Sequence, residues 1–128
     1  MIIADATVLI ALAKTGRLGL LRELYGEVSV GPRVKTEVVE GGRAIHAPEV
    51  NVIEAAFEAK WMHEVTPTSG ERRLSRRILK GSRLHEGEAE AIALASSRSA
   101  LVLLDDKEAR FVVTPRDFLP RSRPLFSN

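Results

Sequence analysis

Residues 101–110 read LVLLDDKEAR, in which four apolar side chains run directly into two adjacent aspartates and a charged segment. The apolar run predicts a buried strand, and the segment KEARFVV predicts a helix after it. Adjacent carboxylates repel each other, and a buried carboxylate without a partner costs several kcal/mol or takes up a proton. Asp105 and Asp106 therefore need a metal ion, a basic group or open water beside them.

Three further short segments predict strands, at residues 1–4 (MIIA), 28–30 (VSV) and 64–66. Helical patterns separate the four strands, in the segments TVLIALAK, RLGLLRELYG, PRVKTEVVE, VNVIEAAFEAKWM, ERRLSRRILK and GEAEAIALASS. In the fourth of these segments, Ile53, Phe57 and Trp61 form a core-facing stripe. Because strands alternate with helices and no hairpin signal is present, the sequence predicts an α/β sandwich with a parallel sheet.

The length of 128 residues suits a single domain over residues 1–128, in which residues 114–128 form an atypical tail rich in Pro and Arg. The composition, 45% hydrophobic and 28% charged, is typical of a soluble globular protein. The absence of Cys excludes disulfides, a thiolate nucleophile and Cys-ligated zinc, and it fits a reducing compartment. The longest apolar stretch, residues 6–13, is too short to span a membrane, and the N-terminus lacks the pattern of a signal peptide. We therefore expect a cytoplasmic protein, and the scarcity of Asn and Gln indicates a hot-adapted source.

The distribution of charge is more informative than the formal net charge of +2. Six of the twelve residues from 72 to 83 are basic: Arg72, Arg73, Arg76, Arg77, Lys80 and Arg83. Such a run is either a solvated helix face or a surface that holds phosphates. As a binding surface it would contact an RNA backbone, giving salt-sensitive affinity with little sequence choice.

Acidic residues stand at the predicted strand ends and in the helices that follow them: Asp5, Glu37, Glu88 and Asp105–Asp106. In parallel α/β sheets, ligands bind beyond the carboxyl ends of the strands. Carboxylates that meet there raise one another's pKa unless cations neutralise them, and hard oxygen ligands suit Mg²⁺ or Mn²⁺. Each of these acids also has an alternative role that needs no metal. Glu37 would also suit a solvent-facing helix position, Glu88 the favoured acid of a first helical turn, and one aspartate of the pair an N-cap.

Four segments, IADATVLIALAK, VKTEVVE, LHEGEAEAIALA and LLDDKEAR, in this order and spacing, resemble the PIN-domain family, particularly the VapC-type ribonuclease toxins of toxin–antitoxin pairs. The resemblance covers residues 1 to about 113. It implies a three-layer α/β/α sandwich with a central parallel sheet and a shortened C-terminal part. It also implies an acid cluster that binds Mg²⁺ or Mn²⁺.

The family's acids fall on four positions of this sequence, namely Asp5, Glu37, Glu88 and Asp106, with Asp105 beside the last. The distance to the segment IALA selects Glu88 rather than Glu86 or Glu90. The tail segment VVTPRDF imitates the family's closing motif and offers Asp117 as an alternative, although the spacing from Glu88 favours Asp106.

The resemblance implies a metal-dependent endoribonuclease in which Asp5, Glu37, Glu88 and Asp106 are catalytic and Asp105 is a further metal ligand. Its expected partners are an RNA substrate, a cognate antitoxin protein and a second copy of the chain. Two differences from the family pattern, Leu104 in place of a hydroxyl residue and the unusual tail, motivate an alternative: an inactive PIN-like module that binds RNA or protein. A phosphoryl-accepting receiver domain with Lys107 near the acids is disfavoured, because its acidic pair would follow the first strand.

Overall fold

A four-stranded parallel sheet forms the centre of the protein. The computed structural model describes residues 1–104, so Asp105, Asp106, Asp117 and the predicted helix KEARFVV lie outside the described residues. The strands are β1 (Ile2–Ala4), β2 (Val28–Val30), β3 (Met62–Glu64) and β4 (Leu101–Leu103). Their order across the sheet is β3-β2-β1-β4, and each neighbouring pair is parallel. The predicted parallel α/β sheet is thus confirmed, although its third strand begins two residues earlier than expected.

Helices connect the strands. They are α1 (Ala6–Lys14), α2 (Gly19–Tyr25), α3 (Pro32–Lys35), a π-helix (Thr36–Gly41), α4 (Gly42–Ala44), α5 (Glu49–Glu58), α6 (Ser69–Lys80) and α7 (Glu86–Arg98). The segment PRVKTEVVE was predicted as one helix, but after a single turn it passes into the π-helix that carries Glu37. Pro32 starts the segment at a position where its missing N–H costs no hydrogen bond. None of the helices described within residues 1–104 has the length and apolar character needed to cross a membrane.

The two faces of the sheet are covered by different helices. On one face, Ile2, Ala4 and Val30 pack in a cluster with residues of α1, α2, the π-helix and α5. On the other face, Ile3 and Val102 pack against α7, with partly buried support from α6. Successive side chains of a strand point to opposite faces, so β1 serves both clusters. The three-layer α/β/α architecture follows from this alternation.

Trp61 belongs to the core but not to the helix predicted for it. Helix α5 ends at Glu58, and Trp61 precedes β3, where it is buried in the first cluster. Ile53 is fully buried on α5 and Phe57 packs beside it in part. The predicted stripe is therefore right about burial and wrong about helical continuity.

The carboxyl ends of β1 and β4 lie side by side. Ala4 pairs with Leu103, and the N–H of Asp5 donates to the Leu103 carbonyl oxygen at 3.1 Å. Asp5 is the residue at which β1 ends and α1 begins, with extended backbone angles. This pairing sets the end of β4 beside the first predicted acid.

Candidate active site

Asp5 is a buried carboxylate without a full set of partners. The residue is 2% exposed, and its Oδ2 atom is buried with no hydrogen-bond partner in the described part of the chain. Although Asp5 occupies the N-cap of α1, its side chain makes no capping hydrogen bond. A buried oxygen of this kind costs free energy unless a ligand satisfies it.

The pKa of Asp5 is raised from 3.8 to about 6. Burial is the largest cause, and the carboxylates of Glu88 and Glu37 raise the pKa further. The N–H groups of Ala6 and Thr7 oppose the rise. The carboxylates of Glu37 and Glu88 therefore both act on that of Asp5, as expected where like charges converge at a sheet edge.

Glu88 is held in place by the backbone of its own helix. It is 6% exposed, and its Oε1 atom accepts the His85 N–H at 2.9 Å. Because an acid three residues into a helix commonly reaches back to the N-cap, this bond explains the side-chain orientation. Glu88 thus fills the role expected of an acid in a first helical turn, and its charge also raises the pKa of Asp5.

Glu37 approaches the start of α7 from the π-helix and is exposed to solvent. Its Oε1 atom lies 3.5 Å from where a Cβ on Gly87 would stand, so its carboxylate sits over the start of α7. A π-helical turn widens the backbone and is frequent at functional sites. The sequence pattern contained no signal for it.

The donor chemistry of this acid group fits a hard divalent cation. Carboxylate oxygens are the ligands that Mg²⁺ and Mn²⁺ prefer, and the unpartnered Oδ2 of Asp5 is an available ligand atom. Within residues 1–104, no three His, Asp or Glu side chains lie close enough together to hold a metal ion. The predicted ligands Asp105 and Asp106 follow Leu104 directly in sequence and lie outside the described residues.

The predicted basic segment forms α6 and the turn after it. All six of its basic residues are exposed: Arg72, Arg73, Arg76, Arg77, Lys80 and Arg83. Among the residues that the structure describes, no acid lies within ion-pair distance of any of the six. This positive surface is therefore not neutralised by neighbours in residues 1–104.

A buried ion pair fixes α6 against α7. Glu71 accepts hydrogen bonds from Arg98 Nε at 2.9 Å and Nη2 at 3.0 Å, while Arg98 also donates to the Thr66 carbonyl oxygen. Glu71 closes a capping box with Thr68 at the start of α6. Hydrogen bonding from Arg98 is the main reason why the pKa of Glu71 falls from 4.5 to about 2.

Two adjoining clefts connect the acids with the basic helix. The first, of about 700 Å³, is named the acid cleft and is lined by Pro32, Arg33, Thr36, Glu37, Arg72, His85, Glu86, Gly87 and Glu90. The second, of about 280 Å³, is named the arginine cleft and is lined by Arg33, Pro67, Glu71, Arg72, Ser75, Arg76, Leu79, Glu86, Glu90 and Leu94. The residues common to both are Arg33, Arg72, Glu86 and Glu90. The predicted acid Glu37 and the predicted phosphate contact Arg72 therefore share one depression.

Arg33 and Glu90 are residues of this region that sequence reasoning missed. Glu90 Oε1 accepts the Arg33 N–H at 3.0 Å, which ties α7 to the start of α3. Burial raises the pKa of Glu90, while the Arg33 N–H and the guanidinium groups of Arg33 and Arg72 oppose the rise. An acid between two alanines, directly before the apolar segment at residues 91–95, was the available signal for Glu90, whereas nothing in the sequence marks Arg33.

A third cleft has none of the predicted site residues in its lining, although it shares Thr36 with the acid cleft. It has a volume of about 400 Å³ and is lined by Lys35, Thr36, Val39, Glu40, Arg43, Glu54, Phe57, Glu58 and Glu64. Lys35 is held there by Glu64 at 3.3 Å and by the ring of Phe57 at 4.9 Å. Arg43 forms an ion pair with Glu54. Both cations of this cleft are paired with acids of its own lining, and the described lining contains no unpartnered buried acid.

The parallel sheet and the carboxylates beyond its carboxyl end define a class of α/β proteins with an acidic site at the sheet edge. Comparison with known families gives the particular one: the family model described as a PIN domain (DUF3368) matches residues 1–117, and the chain belongs to the PIN-domain family. PIN domains are generally nucleases and generally use divalent metal ions.

The fold also matches a solved structure, described as "Toxin-antitoxin complex from Klebsiella pneumoniae". The TM-score is 0.62 at 13% sequence identity, and the alignment covers 84% of this chain and 88% of that one. A search of curated proteins gives no significant match. The structural match confirms the PIN-like fold.

Proposed function

We propose that this chain is an endoribonuclease that hydrolyses RNA phosphodiester bonds with Mg²⁺ or Mn²⁺. Asp5, Glu37, Glu88 and Asp106 would hold the metal, with Asp105 beside them. The observation that carries the proposal is the unpartnered buried Oδ2 of Asp5, at a strand end where two other carboxylates raise its pKa. Such a carboxylate is stabilised by a cation that is coordinated by its unpartnered oxygen.

The metal would supply a hydroxide-like water and stabilise charge on the attacking and leaving oxygens of the phosphodiester. The chain's own residues define where this happens. The backbone of Asp5 is held by the pairing of β1 with β4, and the carboxylate of Glu88 is held by the His85 N–H, so the fold sets the positions of both residues. Glu37 is exposed and approaches from the solvent side, where the substrate would enter.

The basic surface of α6 and Arg83 would attract the RNA backbone. Its six exposed cations face solvent without ion-pair partners in the described residues, and Arg72 lines the acid cleft together with Glu37. Contacts of this kind act on phosphates and carry little sequence information. The surface would therefore recruit RNA broadly and direct it towards the acids.

The chain would act as the toxin of a toxin–antitoxin pair, of the VapC type, in the cytoplasm. The structural neighbour is described as a toxin–antitoxin complex, which supports an antitoxin partner for this chain as well. A homodimer is also part of the proposal. Leu20 and Leu24 are exposed one turn apart on α2, where a second copy would remove apolar surface from water.

A second candidate function is a PIN-like module that binds RNA or protein without cutting. Leu104 favours it, since this buried apolar residue stands where many relatives of the resembled family carry a hydroxyl. Incubation of single-stranded RNA with the purified protein and Mn²⁺ or Mg²⁺ separates the two. Metal-dependent cleavage that Asp5→Asn abolishes and the exposed control Glu58→Gln preserves supports the nuclease. Binding by the metal-replete protein without cleavage supports the module instead.

A further inference from the structure

Arg33 stands between the acids and the basic helix and lines both clefts. Its backbone is anchored, because its N–H donates to the buried Glu90 carboxylate at 3.0 Å. Its side chain is less constrained. The Nη1 atom donates to Glu86 Oε1 at 2.7 Å, but the two side chains are 55% and 61% exposed. A fixed backbone with a solvent-accessible guanidinium suits a group that exchanges one anion for another.

Arg72 approaches the same point from α6. Arg33 and Arg72 both line the arginine cleft with Arg76, and both also line the acid cleft. The acids of this cleft do not cancel the three arginines, since Glu71 is already paired with Arg98 and only Glu86 and Glu90 remain. Guanidinium groups from two elements bind a phosphate well because each offers a planar fork of donors.

We infer that Arg33 and Arg72 form a phosphate-binding subsite for single-stranded RNA beside the acidic site, and that Arg33 is paired with Glu86 when no substrate is bound. The inference rests on the proposed function, because it names a second contact for the same substrate. Arg33 and Glu37 are four residues apart on one helical segment and line the same cleft, so a strand held at Arg33 passes Glu37.

Glu86 is a weak competitor for Arg33. An ion pair between two exposed side chains contributes little, since water screens it and both side chains lose freedom in making it. A phosphodiester has the same charge and the same number of anionic oxygens as the Glu86 carboxylate, but it arrives as part of a strand that α6 also attracts. The exchange therefore favours RNA while keeping Arg33 oriented in the free protein.

The subsite is tested by RNA binding in an Asp5→Asn background, which separates binding from cleavage. The probe is a labelled single-stranded RNA of about ten nucleotides, and its affinity is measured over a range of salt concentrations. Arg33→Gln and Arg72→Gln should each weaken binding roughly threefold to tenfold and lower the slope of log affinity against log salt by about 0.7. Thermal melting shows whether each variant is folded.

The exchange is tested by adding Glu86→Gln to the Asp5→Asn protein with Arg33 intact and to the same protein carrying Arg33→Gln. It should tighten binding roughly twofold to fivefold when Arg33 is present and have a clearly smaller effect with Arg33→Gln, because its action passes through that arginine. Equal tightening in both forms would mean that Glu86 only repels RNA at a distance, and would overturn the exchange. The matched controls are Arg43→Gln and Glu54→Gln, a partly exposed ion pair in the third cleft, which should leave binding unchanged.

Three other outcomes are decisive. Unchanged RNA affinity in Arg33→Gln overturns the subsite, even if the wild-type protein with Asp5 cleaves RNA. The expected pattern of affinities with no cleavage by the metal-replete wild-type protein supports the subsite and refutes the proposed nuclease. Loss of binding to a glutamate-rich peptide in Arg33→Gln, with unchanged RNA binding, assigns the cleft to a protein partner and overturns the inference.

Discussion

The carboxylate of Glu90 occupies the space where a side chain at position 31 would begin. A Cβ on Gly31 would collide with the Glu90 carboxylate and stand 2.8 Å from its Cδ atom. Gly31 has a φ of −82°, which any residue adopts, so the restriction at this position is steric and not conformational. The close approach links α7 with the residue from which α3 begins.

Gly31→Ala should therefore lower the free energy of unfolding by about 1–3 kcal/mol, the usual cost of overpacking. The measurement is equilibrium denaturation by urea. The cost should shrink when Glu90→Ala is added, because the colliding carboxylate is gone. Gly19→Ala is the matched control, since no atom of residues 1–104 lies within 4 Å of its added Cβ, and it should leave stability unchanged or slightly raised. An equal cost in the two Glu90 backgrounds would contradict the steric explanation.

Asp5→Asn should raise the stability of the metal-free protein by about 1–3 kcal/mol at neutral pH. The amide removes a buried charge and offers an N–H donor towards Glu88 or Glu37, both of which act on Asp5. Thermal melting measures the effect with and without metal. Mg²⁺ or Mn²⁺ should raise the melting temperature of the wild-type protein and leave that of Asp5→Asn nearly unchanged. Equal stabilisation of both proteins by metal would place the cation elsewhere.

Glu71→Gln should cost about 2 kcal/mol at neutral pH, because Arg98 loses a charge-assisted partner in a buried position. The ionic pair also predicts a pH dependence. Since the pKa of Glu71 is lowered from 4.5 to about 2 in the folded state, its contribution is present above pH 4.5 and is lost as the pH falls towards 2. As the pH is lowered from 4.5 towards 2, the free energy of unfolding measured by urea denaturation should therefore fall less steeply in Glu71→Gln than in the wild type. The exposed control Glu23→Gln should keep the wild-type profile.

Removing the outer charges of α6 should weaken RNA binding without unfolding the protein. The triple variant Arg73→Gln, Arg77→Gln and Lys80→Gln changes exposed residues only. If each contacts a phosphate, the salt slope for single-stranded RNA should fall by about 2 in total. The matched control changes Lys14, Arg17 and Arg22, three exposed cations of α1, α2 and the loop between them, which cover the opposite face of the sheet. A similar loss in both triple variants would indicate an effect of net charge alone.

Much of the fold was predictable because local patterns and burial agree in this chain. The runs MIIA, VSV and ALVLL are short and apolar, which is typical of strands buried on both faces in a parallel sheet covered by helices. Asp5 was identifiable because a lone acid between apolar segments has few explanations. The predictions of the third strand and of the position of Trp61 were less accurate, since WMHE carries neither a clean alternation nor a turn signal at its start.

The sequence by itself determined the alternation of strands and helices, the position of acids at strand ends and the basic character of α6, because these depend on residue type and short-range spacing. Only the tertiary structure decided that Asp5 has an unpartnered oxygen, that Glu90 excludes a side chain at position 31 and that Arg33 joins the two clefts. Each of these depends on contacts between residues far apart in the chain. Such contacts are set by the pairing of strands and the packing of helices over them, which no local pattern specifies.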